Sequence, residues 1–274
     1  MKGRFPDILS NPAQGEAARK LYDDAQEMLD RVEAEGWLHP AAVIGFWPAA
    51  GDGDDTVLFT DAERSDERAR LHHLRQQGQH REGVPNRSLA DFVAPQGSGV
   101  DDWVGAFAVT AGTELPARIA AFKEELDDYS AILLEALADR LAEALAERMH
   151  ERVRTEFWGH EAGENLSNED LIAERYTGIR PAPGYPACPE HTEKDTLFEL
   201  LDVTREIGVE LTESRAMWPG ASVSGWYFAH PESRYFVVGR IGRDQVEDYA
   251  GRKGWSVKDA ERHLAPNLSY DPED

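Results

Sequence analysis

Residues Arg180–Lys194 read RPAPGYPACPEHTEK. Four prolines and one glycine fall in this short stretch. Each proline fixes its own φ, removes a backbone donor and pushes the preceding residue towards extended geometry. The segment is therefore neither an ordinary helix nor an ordinary strand. It is a stiff, irregular piece that holds its carbonyls and a few side chains in a set arrangement, which suits gripping a small polar ligand. A rigid surface connector has the same composition, and composition alone does not separate the two.

The regular elements lie on either side of it. Downstream, a helix over Glu193–Ile207 is closed by Gly208. Val223–Ala229 and Tyr235–Arg240 read as an antiparallel pair with HPES as hairpin loop, and helices Asp244–Lys253 and Val257–His263 finish the chain. Upstream, Ser167 and Asp170 form a capping-box-like start for a short helix, Asn168–Tyr176. Before it, Phe122, Leu126, Tyr129, Leu133, Leu137, Leu141, Leu145, Met149 and Val153 recur at helical spacing through Leu115–Phe157. A straight helix of that extent would be about 60 Å long, so a break or bend is expected. The stripe drifts around the helix, which implies burial on more than one side; coiled-coil dimerisation is the weaker alternative, because the steps are mostly of four.

Nearer the start, Gln14–Glu35 is helical, Ala41–Pro48 and Thr56–Thr60 are strands joined by GDGDD, and 76–87 is a polar loop. Asp91–Ala94 and Val104–Val109 read as further strands, the second apolar enough for the middle of a sheet. The pattern predicts an α+β fold: one domain over residues 1–274, with a mainly antiparallel twisted sheet flanked by helices and one long helical region.

The chain has 274 residues, enough to bury a core. No apolar run approaches the roughly 18 residues that cross a bilayer, and the N-terminal MKGRFPDILS has no apolar signal region. Cys188 is the sole cysteine, so neither an internal disulfide nor a multi-thiolate zinc site can form. These features predict a cytoplasmic protein with no membrane partner. The net charge is −23, from 29 basic and 52 acidic residues. Such a surface repels a phosphate backbone and argues against nucleic acid. Solubility accounts for most of the excess, although acidic groups would also favour a cationic ligand.

Arg180–Lys194, with AMWPGASVSGWYFAHPESRYF (Ala216–Phe236) and RDQVEDYAGRKG (Arg243–Gly254), resembles the C-terminal activation domain of cobalamin-dependent methionine synthase. HHLRQQ (His72–Gln77), SLADFVAP (Ser88–Pro95), GAFAVT (Gly105–Thr110), LADRLAEALAE (Leu137–Glu147), ENLSNEDLI (Glu164–Ile172) and LAPNLSYD (Leu264–Asp271) match as well. Together they span nearly the whole chain in the family's order. The resemblance implies a curved fold that binds S-adenosylmethionine and supports reductive reactivation of cobalamin, the cobalamin itself being held by a partner module. It also implies a flavodoxin-like or flavoprotein reductase as second partner, and a chain that is part of a methyltransferase without being a complete enzyme.

The same resemblance singles out site residues. Arg180 stands where the family's arginine holds the ligand carboxylate, and a guanidinium offers that group two parallel donors; its plainer reading is an internal ion pair, for instance with Glu174. Glu174 matches a family acid near the ligand's ammonium or sulfonium, against the ordinary fate of a solvated helix face. Tyr185 would lie against the ligand while backbone groups of Ala182 and Ala187 hydrogen-bond it. Tyr235 and Phe236 match a pair that contacts the adenosine. Adjacent strand residues point to opposite faces, so at most one ring can stack on the adenine while the other contributes backbone or packs in the core, and the plainer reading for both is core. Glu143 matches a helical acid that contacts the cobalamin module; the plainer reading is an exposed glutamate beside Arg140 or Arg148. Cys188 and His191 in CPEH, like His72 and His73, lack further ligands, so no metal and no covalent nucleophile is expected.

The sequence also departs from the complete synthase. It has no D-x-H-x-x-G segment for cobalt and none of the homocysteine-site thiolates. A family acid that binds the ligand's amino group lies upstream of the position matching Gly3, and its loss is expected to cost about 1.5–3 kcal/mol. Two rival readings follow: an interaction protein that kept the fold and lost the ligand, and an independent methyltransferase. The second lacks a glycine-rich nucleotide loop and an evident general base.

Overall fold

In the computed structural model, which describes residues 3–79 and 81–272, α1 (Gly15–Glu35) precedes the strands β1 (Ala41–Asp52), β2 (Asp55–Phe59), β3 (Glu67–His72) and β4 (Asp102–Thr110). The helices α2 (Leu115–Glu124), α3 (Asp128–Arg152), α4 (Asn168–Ile172), α5 (Glu193–Leu201) and α6 (Val203–Ile207) follow. The short strands β5 (Glu210–Leu211) and β6 (Met217–Trp218), then β7 (Ser222–Tyr227), α7 (Arg243–Lys253) and α8 (Val257–His263), complete the order.

Five strands form one sheet in the order β3-β2-β1-β4-β7, with every neighbouring pair antiparallel. Successive side chains of β4 point to opposite faces, and both faces are covered. Val104, Ala106 and Ala108 join Leu197, Phe198, Leu201 and Val203 of α5 and α6 in one core layer. Phe107 and Val109 face the other way, against Ala146, Met149 and Val153 at the end of α3. Further along α3, Ala131, Leu134, Ala138 and Ala142 pack with Met28 and Val32 of α1 and Phe122 of α2.

The long helical pattern breaks as its length demands. Leu126 takes a left-handed φ of 60°, and Asp127 then caps α3 by accepting from the Ser130 N–H. The buried face is made of alanines with Leu134, not of the Leu133–Leu145 stripe. Ala131, Ala138, Ala142 and Ala146 are fully buried, whereas Leu133, Leu137, Leu141 and Leu145 are half-buried flanks. Small side chains let the helix backbone approach its neighbours closely, and the leucines then cover the edges of that contact. The leucine periodicity is real but marks the rim of the buried face.

Several expectations need correcting. Asp91–Ala94 is not a strand: Leu89–Phe92 is a short 3-10 turn, closed by the Asp91 N–H donating to the Ser88 carbonyl at 3.2 Å and by the Asp91 carboxylate accepting from the Ser88 N–H at 2.9 Å. Glu193–Ile207 is two helices, because Asp202 adopts φ 49° between them, while Gly208 does close the second at φ 69°. The helix expected over Asn168–Tyr176 ends at Ile172. β3 was not expected: ERARLH alternates, but on only two apolar residues, Ala69 and Leu71, which face the core. Tyr235–Arg240 does not pair with β7, and no hairpin forms at HPES; the segment is irregular and outside the sheet. The free edge of β7 is taken instead by residues 179–181. The expected 76–87 loop is irregular throughout its described residues, with position 80 lying outside them.

Candidate functional site

The proline-rich segment begins as a sheet edge. Ile179 and Phe228 exchange both backbone hydrogen bonds, at 2.9 and 3.0 Å, and the Trp226 N–H donates to the Pro181 carbonyl at 2.9 Å. Proline can supply only the acceptor half of that last pair, so the ladder ends there. Gly225 permits the crossing: a Cβ on it would stand 2.7 Å from the Pro181 oxygen and 2.9 Å from the Phe107 ring. Alternation sends Ile179 into the core, 2% exposed, and Arg180 to the face where α3 lies.

Two tight turns follow. The Tyr185 N–H donates to the Ala182 carbonyl at 3.1 Å across Pro183 and Gly184, with Gly184 at φ 94°, a type II turn with proline and glycine where that turn wants them. The Cys188 N–H then donates to the Tyr185 carbonyl at 2.9 Å, and the Gly184 N–H to the Cys188 carbonyl at 2.7 Å. The imidazole of His191 packs beneath Gly184, where a Cβ would meet it at 2.4 Å. The Val238 N–H donates to the Pro186 carbonyl at 2.9 Å. That bond ties the aromatic Tyr235–Phe236 segment to the turns and does the work expected of a hairpin.

These pieces enclose a cavity of about 380 Å³. Arg180, Pro181 and Ala182 line one side, with Tyr185, Pro186 and Ala187 from the turns. Tyr235, Phe236 and Val237 line another, Phe107 and Val223 come from the sheet, and Glu143 comes from α3. Seven of the eight expected site residues therefore meet there. Glu174 is the exception: it is an exposed residue at φ 52° just past α4 and is not among the cavity's lining. The outer edge carries exposed aromatic surface, Tyr185 at 60% and Tyr235 at 39%. Phe236 turns inward against the core and meets Phe92 edge-on at 6.3 Å. The Ala187 N–H and C=O make no hydrogen bond among the described residues, although the residue is 5% exposed.

Arg180 is held from several sides. One Nη1–H donates to the Tyr176 hydroxyl at 3.0 Å, and Nη1 lies 3.1 Å from His150 Nδ1. Nη2 pairs with Glu147, and the backbone N–H donates to the Tyr235 hydroxyl at 3.1 Å. The internal ion pair expected as the plainer reading thus exists, with Glu147 in place of Glu174, and the cavity opens beside it. Burial opposes the cation, but Tyr235, Tyr176 and Glu147 outweigh it and hold the Arg180 pKa above its ordinary value. Burial, reinforced by the Arg154 and Arg180 charges, drives the His150 pKa well below the usual range. The ring is therefore neutral and accepts from Arg180.

Behind Arg180 stands an aromatic column. Phe107 stacks on Tyr227 at 4.7 Å, Tyr227 on His150 at 5.4 Å, and Tyr176 meets His150 edge-on at 5.0 Å. The far end is closed by Arg154, wholly buried, whose guanidinium lies 4.3 Å from the Tyr176 ring centroid and pairs bidentately with Glu164 at 2.7 and 2.6 Å. None of these supporting residues was singled out from sequence. A signal existed: Glu143, Glu147 and His150 are spaced by four and three, so they share one face of α3.

Cys188 is buried, and burial together with Glu193 and Glu190 pushes its thiol far above the thiolate range. Among the described residues no group of three His, Cys, Asp or Glu side chains could hold a metal ion, and no helix is long and apolar enough to cross a membrane. The cavity thus presents a fixed cation and unpaired backbone groups at one side and aromatic surface at the other. That is a receptacle for a molecule with a carboxylate and a flat apolar body.

A family model described as "Vitamin B12 dependent methionine synthase, activation domain" matches residues 1–254. A solved structure entitled "Crystal Structure of the MetH Reactivation Domain bound to AdoHcy" is 57% identical, with a TM-score of 0.96, covering 99% of this chain and 83% of that one.

Proposed function

The chain belongs to the family of activation domains of vitamin B12 dependent methionine synthase, and on that premise we propose that it is an S-adenosylmethionine-binding reactivation module whose ligand occupies the Arg180 cavity. The observation that carries this is the convergence of the proline-framed turns and the Tyr235–Phe236 segment on one cleft, with the guanidinium at its side. When bound, S-adenosylmethionine supplies an electrophilic methyl group for cobalamin carried by another module of the synthase. A flavodoxin-like reductase delivers the electron, and the process belongs to the cytoplasm.

The chain's own contribution is binding and orientation. Arg180 takes the ligand carboxylate, for which its Nε–H and second Nη2–H have no hydrogen-bond partner among the described residues. The unpaired Ala187 backbone groups and the carbonyl side of the Ala182 turn meet the ligand's polar edge. Tyr235 offers a ring to the adenine while Phe236 anchors the segment in the core, and Tyr185 closes over the ligand from outside. Glu143 stands on α3 at the opening, facing whatever approaches the methyl group, and Glu174 serves at longer range through Tyr235. Holding the sulfonium in one orientation can remove several kcal/mol from a methyl-transfer barrier without any acid–base step.

Calorimetric titration tests the reading. The 274-residue chain is expected to bind AdoHcy, and Arg180→Ala is expected to weaken binding at least tenfold, the loss of one or two charge-assisted hydrogen bonds of about 1.5–3 kcal/mol each. A folded wild-type sample that takes up no AdoHcy at millimolar ligand would remove the proposal.

A further inference from the structure

Resting on that reading of the cavity, we propose that Glu147 is an internal counterion. It occupies Arg180 in the ligand-free protein, the ligand's carboxylate displaces it, and it sets affinity by competition. Glu147 reaches Arg180 from α3 one turn beyond the cavity-lining Glu143 and takes one hydrogen of Nη2 through Oε2. Its other oxygen, Oε1, is buried and has no hydrogen-bond partner among the described residues. A carboxylate shielded from water on one oxygen and bonded only through the other is incompletely satisfied. The Glu147 side chain is nonetheless 31% exposed, so a rotation about its own torsions returns the head group to water.

Arg180 does not depend on this contact for its position. Tyr176 and His150 hold Nη1, and the backbone N–H is fixed by the Tyr235 hydroxyl. With Glu147 gone, a placed and charged guanidinium would remain, with one further Nη2 donor open to the cavity. With Glu147 in place, an arriving carboxylate must share one cation with a second anion in a half-buried setting, where like charges repel. Ligand entry and the Glu147 contact therefore oppose each other, and the release of Glu147 is part of the binding step.

The test uses the whole chain, titrated calorimetrically with AdoHcy and, separately, with methylthioadenosine, a nucleoside thioether that lacks the amino-acid part. Glu147→Gln is expected to bind AdoHcy about tenfold more tightly, the worth of one charge-assisted hydrogen bond no longer contested, and to bind methylthioadenosine as the wild type does. Glu147→Ala should shift binding in the same direction, and the gain should vanish in an Arg180→Ala background. Unchanged or weaker AdoHcy binding in both Glu147 variants, with melting temperatures retained, would overturn the inference while leaving the ligand site standing. An equal gain for methylthioadenosine would also overturn it. A wild-type chain that binds no AdoHcy takes down both.

Discussion

Replacing Glu164 by glutamine keeps the shape of the side chain and removes its charge, which isolates the worth of the buried ion pair behind Arg180. Arg154 is entirely shielded and the Glu164 side chain is 7% exposed, so neither charge has water to fall back on. Removing one partner of such a pair costs about 3–5 kcal/mol, because the remaining charge stays buried without compensation. The Tyr176 ring, 4.3 Å from the guanidinium, still offers a cation–π contact, which places the expected loss near the low end, about 3 kcal/mol. At about 2–4 °C per kcal/mol for a chain of this size, the melting temperature should fall by about 6–12 °C in circular dichroism. Tyr176 accepts from Arg180, so AdoHcy affinity should drop as well. The double variant Arg154→Met/Glu164→Leu should be less damaged than Glu164→Gln alone, since it buries no charge at all. A Glu164→Gln protein melting within about 2 °C of the parent would refute the reasoning.

Two further outcomes are expected. Gly184→Ala should destabilise the protein and lower AdoHcy affinity together, because the residue sits at φ 94° and its new methyl would meet the His191 ring at 2.4 Å; a variant with wild-type melting and binding would show that the turn yields without cost. His73 should make the protein acid-sensitive: burial lowers its pKa from 6.5 to about 3, so the folded state holds it neutral while the unfolded state takes up a proton. A depressed folded pKa contributes stability in full above pH 6.5 and loses it as the pH falls towards 3. From pH 7 to 5 the loss is about 2 kcal/mol, readable by urea denaturation at both values, and His73→Gln should flatten that slope; an unaltered slope would clear His73 of the effect.

Local chemistry made much of the fold legible. α1 and α8 lie within a residue of the bounds expected for them, and the long helical run does break, although its length alone did not say that the break falls at Leu126–Asp127. The type II turn at Ala182–Tyr185 is dictated by Pro183 and Gly184 alone. The errors share a cause. Asp91–Ala94 has a strand's apolar residues in Phe92 and Val93, yet the Asp91 carboxylate accepts from the Ser88 N–H and the Asp91 N–H donates to the Ser88 carbonyl, which winds the chain into a turn. Tyr235–Arg240 has strand-like residues, but whether such residues join a ladder depends on a vacant edge. Residues 179–181 had already filled the edge of β7.

The site divides in the same way. Sequence by itself determined the stiff frame, because proline and glycine set the φ angles within Arg180–Lys194, and it marked Arg180, Tyr185 and Tyr235 as the side chains proposed to receive the ligand. Only the tertiary structure decided who holds Arg180 and how far it is open. Glu147, His150, Tyr176, Arg154 and Glu164 come from α3, the turn after it and the approach to the proline segment; Tyr176 is four residues from Arg180 and Glu164 ten from Arg154, but Glu147 and His150 reach Arg180 from 33 and 30 residues away. Such contacts depend on the packing of α3 across β4 and β7, which its buried alanines allow, and a local pattern of residues does not encode which distant partner a charged side chain will find.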